Sequence, residues 1–474
     1  MTVSIIRNKH SLLKTFKRFQ SSKYAIYAVE AALDEVDPAK LIARSIGQKD
    51  NNLIISDIKK SITTINLIKY DKIYVVGAGK AAVPLTASLM EILQHRRPGS
   101  SKPSGSINTP YGTSKKIDGV DVFEAGHPLP DLNSVKGTRH IVDILMRAKD
   151  SDLVFVLLSG GGSSLLALPA KGISLDDKRF VTEALLSAGA PIQELNIVRK
   201  HLSAVKAGKL IRYGSPGTTF ITLSISDVIG DDVHTIASGP TCPDNSSFID
   251  AKNVLKKYEI WDKQNSHLKK VRKVIMDGMK SRTGDSRYPH ESKRRVEYAV
   301  IGNNLMACNA AARYLRSKKV ETLVLGSHFS GDAAGFGKWL SQMANETKHV
   351  SLPFAMVLGG ETTVRLDTNK SVGTGGRNQE AALSALISLD ASPREDISIC
   401  CIGTDGVDGN SQAAGALISG TLPNNGRRIS KTNLRKYLDR HDSSSAFRRF
   451  DSQIMTGRTL TNVNDITVIC RSKK

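Results

Sequence analysis

The sequence predicts an α/β protein of two domains, the first a Rossmann-like parallel sheet, and three observations carry that expectation. At 474 residues and 51.3 kDa the chain is longer than one hydrophobic core ordinarily serves. The run Leu153 to Leu158, LVFVLL, has no polar side chain, which suits a strand buried on both faces of a parallel sheet. Apolar runs of this kind recur in both halves and lead into glycine-rich loops, with Ala- and Leu-rich helical stretches following several of them. Glycine loops at successive strand ends imply an active site in a cleft lined from both domains.

Composition is that of a globular protein, 40% hydrophobic and 24% charged, and only the charge balance stands out. The 67 Lys and Arg against 45 Asp and Glu give +22, a field suited to nucleic acid, acidic lipid or a phosphorylated or carboxylated small molecule. Aromatic residues are 5% of the chain and no basic helix interleaves them, which argues against a nucleic-acid groove. No apolar run is long enough for a membrane span, so no membrane partner is expected. Cys242, Cys308, Cys400, Cys401 and Cys470 have no CxxC spacing, which points to a reducing compartment with neither a disulfide framework nor a zinc site.

In chain order, residues 1–23 form a segment without acidic residues, in which Arg7, Lys9, Lys14, Lys17, Arg18 and Lys23 alternate with Ile5, Ile6, Leu12, Leu13, Phe16 and Phe19. Such a segment resembles a mitochondrial presequence, with Arg18 to Ser22 as the processing site, and predicts a matrix protein. A later start would leave a cytoplasmic form. From Tyr24 to Leu67 the spacing predicts helix interrupted at Pro38. Lys72 to Ala82, KIYVVGAGKAA, reads as strand, glycine turn and helix. It fails the phosphate-loop pattern, having Tyr74 and Ala81 where Gly and Ser or Thr are needed. Gly77, Gly79 and Ala82 match the dinucleotide fingerprint, but no acid follows about 20 residues on. Lys80 is the informative residue: a positive charge in a turn at a strand's end, where a phosphate can bind.

Gly126 to Asp131, GHPLPD, reads as a rigid turn. After LVFVLL, the loop Ser159, Gly160, Gly161, Gly162, Ser163 and Ser164 lets backbone N–H groups and hydroxyls approach an anion. Arg199, Lys200, His201, Lys206 and Lys209 form a basic cluster that faces either solvent or that anion. Asp227 ends another strand, on the edge of the sheet shared with Ser159, and could hold Mg²⁺ or accept a proton. The domain boundaries read as 24–261, a polar linker at 262–297, and a second α/β domain at 298–474. In the second domain GGETT (359–363), GGRNQE (375–380) and GTDGVDG (403–409) repeat the glycine-loop pattern. Arg377, at a helix start, is suited to phosphate, while Asp405 and Asp408 are candidates for a cation.

The motifs VGAGKAA, GHPLPD, SGGGSSL, RKHLSAVKAGKL, SISDV, IASGPT, GGETTV, GGRNQE, GTDGVDG and TNVND, in this order, resemble the class II glycerate kinases, from Tyr24 to the end. In that family the last four belong to the MOFRL domain. The resemblance implies an enzyme that uses ATP and Mg²⁺ to phosphorylate D-glycerate, with 2-phosphoglycerate the favoured product and 3-phosphoglycerate the alternative. It places catalysis on Lys80, Asp227 and Arg377, and substrate or phosphate binding on the SGGGSS loop with Arg199 and Lys200. Asp227 and Asp405 are the metal candidates. One departure is Gly457-Arg458-Thr459-Leu460, where the family has a glycine-proline-threonine-glycine run. Two rivals are an NAD(P)-dependent hydroxypyruvate reductase and a non-catalytic basic binding protein.

Overall fold

The order in which the strands line up decides which loops meet. In the computed structural model, which describes residues 4–95, 101–280, 295–366, 372–390, 395–420 and 430–473, the chain divides into two units. The first comprises Ile42–Ser226 and Asp231–Ile301; the second comprises Met1–Leu41, Asp227–Gly230 and Gly302–Lys474.

The first unit begins with a small antiparallel sheet of β1 (Ile46–Lys49), β2 (Asn52–Ser56) and β3 (Ile62–Asn66). The helical periodicity expected there ends at Ser45, because β-branched residues cluster at Ile54 and Ile55 and from Ile62 to Ile65. Its main sheet contains β4 (Ile73–Ala78), β5 (Ser104–Pro110), β6 (Val120–Ala125), β7 (Leu153–Leu158), β8 (Thr219–Ile225) and β9 (Val296–Gly302). Their order is β6-β5-β4-β7-β8-β9, with β6 to β8 all parallel, the doubly wound order of the Rossmann fold. Every residue of β7 is buried, as its unbroken apolar run requires. Strand order reverses between β4 and β7, so the loops that follow these two strands share the switch point where such sheets bind ligands.

The second unit holds a mixed sheet of β10 (Glu321–Asp332), β11 (Phe354–Thr363), β12 (Asp396–Gly403), β13 (Gly415–Ser419), β14 (Gln453–Ile454) and β15 (Asp465–Ser472), ordered β10-β11-β15-β12-β13-β14. β15 lies between β11 and β12 and runs antiparallel to both, with Asp465 in register with Gly360 on one side and Gly403 on the other. The start of β15 therefore sits between the ends of β11 and β12, which gathers TNVND, GGETT and GTDGVDG at one edge.

Three boundaries differ from the sequence expectation. The helix Gln20–Glu35 belongs to the second unit, where Glu35 pairs with Arg313 at 3.0 Å and the Tyr27 and Tyr314 rings stack with centroids 6.0 Å apart. Ahead of it Ile6, Leu12 and Phe16 are buried, and the Arg7 N–H donates to the Met455 carbonyl at 2.7 Å. The segment read as a presequence is thus folded onto the second unit from residue 4. The polar stretch 262–297 contains the helix Ser266–Lys280, which inserts Leu268, Val271 and Ile275 into the core of the first unit. These three apolar residues at helical spacing were hidden among lysines; residues 281–294 lie outside the described residues. Finally, β9 completes the first sheet, the Phe220 N–H donating to the Arg295 carbonyl at 2.8 Å. All five cysteines are buried thiols.

Candidate active site

At the switch point the two glycine loops are bonded to each other. The Lys80 N–H donates to the Gly160 carbonyl at 2.9 Å, and the Ala81 N–H to Ser159 Oγ at 3.0 Å. Gly79 has φ +144°, and a Cβ there would stand 2.1 Å from Ser159 Oγ. Gly161 has φ +82°, and its Cβ would lie 2.8 Å from the His127 ring and 3.5 Å from Lys80 Cγ. Glycine is needed at both positions because the backbone is left-handed or the neighbouring loop leaves no room. Lys80, the SGGGSS loop and the histidine of GHPLPD are thereby brought together. Among the described residues the N–H groups of Gly160 and Gly161 have no hydrogen-bond partner, which leaves donors of the kind an anion takes. The run after the loop forms only four residues of helix, Gly162–Leu165.

Behind this loop the basic cluster faces inward. Lys206 is fully buried, and its Nζ donates to the Ser163 carbonyl at 2.7 Å, to Ser163 Oγ at 3.0 Å and to the Ala237 carbonyl at 3.4 Å. Arg199 Nη2 donates to the same Oγ at 3.0 Å, and Ser238 Oγ lies 2.8 Å from it. Burial pushes the Lys206 ammonium well below its ordinary value, and Lys178, Arg199 and Lys200 add to the effect. Lys209 is pushed down to about 8 by the same burial, with Arg212 contributing. Lys200, expected to bind substrate, is paired instead with the buried Asp244 at 3.3 Å. Lys178 was not singled out by the sequence, and Lys206 was named only within the basic cluster; a buried lysine and a solvated one share the same residue type and spacing.

In the second unit Arg377 is not an open phosphate fork. Its Nε and Nη2 donate to Asp465 at 2.6 and 3.0 Å, and Nη1 donates to Glu361 at 2.6 Å. Burial opposes the guanidinium charge, but Asp465 and Glu361 outweigh it and hold the proton more firmly than usual. Burial pushes the Asp465 carboxyl up to about 6 despite Arg377 beside it. Asp408 caps the helix Arg377–Ser388 from a distance: its carboxylate accepts the Asn378 and Gln379 N–H groups at 3.0 and 2.8 Å and both their side-chain amides. It has no capacity left for a cation.

Asp227 falls in this unit, where Asn464 Nδ2 donates to its carbonyl at 2.7 Å and Asn462 Nδ2 approaches its carboxylate at 3.4 Å. The Asn464 carbonyl accepts the Thr404 N–H at 3.0 Å, tying the Asp227 and Asp405 loops together. The Asp405 carboxylate accepts the Val407 N–H at 3.1 Å, and its carbonyl accepts the Thr459 N–H at 3.2 Å. In the run that departs from the family, Leu460 stands where the family has glycine and takes a φ of +58°, while Gly457, which is kept, has a φ of +68° with the Arg7 guanidinium packed against it. Among the described residues no group of three or more His, Cys, Asp or Glu side chains is arranged to hold a metal.

Comparison with known proteins adds sequence breadth to this geometry. Residues 24–274 match the DUF4147 family, described as a domain of unknown function, and residues 354–465 match the MOFRL family. A glycerate 2-kinase of Pyrococcus horikoshii is 35% identical over 450 residues, covering 94% of this chain and 96% of its own. A protein of Agrobacterium vitis whose name assigns it to hydroxypyruvate reductases is 36% identical over 403 residues, covering 83% of this chain and 98% of its own. The crystal structure of a glycerate kinase from Thermotoga maritima superposes with a TM-score of 0.76 at 33% identity, covering 95% of this chain and 99% of that one.

Proposed function

The chain belongs to the class II glycerate kinase family, and from that premise we propose that it transfers the γ-phosphoryl group of ATP to the 2-hydroxyl of D-glycerate. The observation that carries the proposal is the convergence, at the switch point of a doubly wound sheet, of the Lys80 turn with a serine-glycine loop backed by Arg199 and Lys206. Phosphoryl transfer asks the protein mainly for positioning and for neutralisation of charge on the transferring group. Lys80 supplies a point charge for phosphate, and the Gly160 and Gly161 N–H groups supply donors. Ser163, fixed by two cations, orients the acid substrate. Arg377 keeps N–H groups beyond the three it gives to Asp465 and Glu361, and these serve a phosphate oxygen.

Mg²⁺ is proposed as the companion of ATP. This ion prefers octahedral oxygen ligands and commonly takes only one or two carboxylates, completing its shell with water and phosphate. The carboxylates of Asp227 and Asp405, whose loops are tied through Asn464, are the donors proposed to hold the ion, which would supply charge neutralisation for the phosphates. The alternative role for Asp227 is that of base, accepting the proton of the glycerate hydroxyl in place of holding the ion.

ADP release with D-glycerate as acceptor tests the proposal. Lys80→Ala and Arg377→Ala are each expected to lower turnover by about a hundredfold or more; wild-type rates in both would overturn the assignment. NADH oxidation with hydroxypyruvate and no ATP would establish the reductase instead. A mitochondrial address is proposed on the acid-free basic segment, and import of a fluorescent protein fused to residues 1–23 tests it.

A further inference from the structure

The first unit buries more positive charge beside its glycine loop than its own carboxylates answer. Lys178, on the helix Leu175–Ser187, is 6% exposed, and among the described residues its Nζ has no hydrogen-bond partner. The charges acting on it are Arg199 and Lys209, both positive, and Lys178 in turn bears on Lys206. The carboxylate next to it in sequence, Asp177, is engaged elsewhere: it accepts from His267 at 2.6 Å and Lys270 at 3.4 Å and joins the capping box with Ser174. Asp244 pairs with Lys200. An ammonium group removed from water without a partner is unfavourable, and a fold that retains one beside an arginine and two further lysines holds a place for an anion. The arginine, Arg199, leads directly to the loop, because its Nη2 donates to Ser163 Oγ.

We infer that Lys178 is a specificity-determining residue for the acid end of the substrate, acting with Arg199 to hold the glycerate carboxylate beside Ser163. This rests on the kinase reading. A carboxylate is assigned here rather than a nucleotide phosphate, because Lys80 and the backbone donors that suit phosphate meet at Gly160 and Gly161, whereas Arg199 reaches Ser163. Neutral polyols share the hydroxyls of glycerate and lack only the carboxylate, so a pocket that tells them apart must do so by charge. Burial, reinforced by Arg199 and Lys209, brings the Lys178 ammonium down from 10.5 to about 7, so a bound anion is what restores its full charge.

The test compares wild type, K178M and K178R with ATP and Mg²⁺ saturating and D-glycerate varied, then with ATP varied, and with glycerol as the acceptor that lacks a carboxylate. K178M should raise KM for glycerate on the order of tenfold or more, the range for hydrogen bonds to charged groups. KM for ATP should stay within about twofold, and the preference for glycerate over glycerol should fall by the same factor as KM rises. K178R, which keeps the charge, should stay within about threefold of wild type. An unchanged glycerate KM in K178M overturns the inference, as does a rise in the ATP KM instead, or a K178R that behaves like K178M. A wild-type enzyme that turns over no glycerate overturns the kinase reading and this inference together; an active wild type with an unaffected K178M overturns this inference alone.

Discussion

Replacing Lys178 by methionine should make the ligand-free protein more stable, by an amount that depends on pH. Methionine has nearly the volume of lysine without its charge, so packing in the helical layer is kept. The folded state holds the Lys178 ammonium at about 7, whereas the unfolded chain holds it at the ordinary 10.5. Between these values the unfolded chain binds a proton that the folded chain releases, so this group makes stability rise with pH across the window from about 7 to 10.5. Below the window the folded state bears the full penalty; above it there is none. At pH 7 the penalty is about 4 kcal/mol, and at pH 9.5 it has fallen by roughly two thirds. Urea unfolding of K178M and its parent, read by Trp261 in a W339F background, measures the difference, since Trp261 packs in the same core as the lysine's helix. The gain of K178M should be largest at pH 7 and should shrink by roughly two thirds at pH 9.5. A variant no more stable than its parent at pH 7, or a gain independent of pH, would refute the assignment of Lys178 as an unpaired buried cation.

Two further outcomes follow from the packing of the loops. Gly79→Ala places a Cβ 2.1 Å from Ser159 Oγ and 2.8 Å from the Ser159 carbonyl at a φ of +144°. It should cost about 2–4 kcal/mol in urea unfolding and lower kcat/KM by roughly a hundredfold, because the two loops must part. Asp465→Asn removes the charge that receives Arg377 in two hydrogen bonds and should destabilise the second unit by about 3 kcal/mol or more, measured through Trp339 in a W261F background.

What the sequence revealed depended on whether the determining contacts are local. LVFVLL and KIYVVGAGKAA each carry their strand and turn chemistry within a dozen residues, so the Rossmann-like half and the glycine loops at its strand ends were legible. The meeting of Ser159 with Gly79 was less so, since it depends on strand order, and strand order is set by which apolar faces pair over 80 residues. Arg377 read correctly as a charged residue at a helix start, but its carboxylates come from Glu361 and Asp465, and β15 brings the latter in antiparallel between two strands already separated in sequence. Lys178 sits in LDDKRF, a first helical turn rich in charge that has every appearance of a solvated face. Only its burial within the first unit removes it from water. The helix Ser266–Lys280 presents the opposite case: its lysines are on the outside, and Leu268, Val271 and Ile275 at i, i+3 and i+7 could have marked it as a core helix.

The most direct measurement is phosphorus NMR of the product formed from ATP, Mg²⁺ and D-glycerate by the purified full-length chain. The account predicts a single new phosphate monoester, coupled to the proton on C2, with ADP formed in equal amount. A phosphate coupled to the C3 methylene protons would contradict the 2-hydroxyl assignment, and ADP absent with glycerate unchanged would contradict the kinase itself.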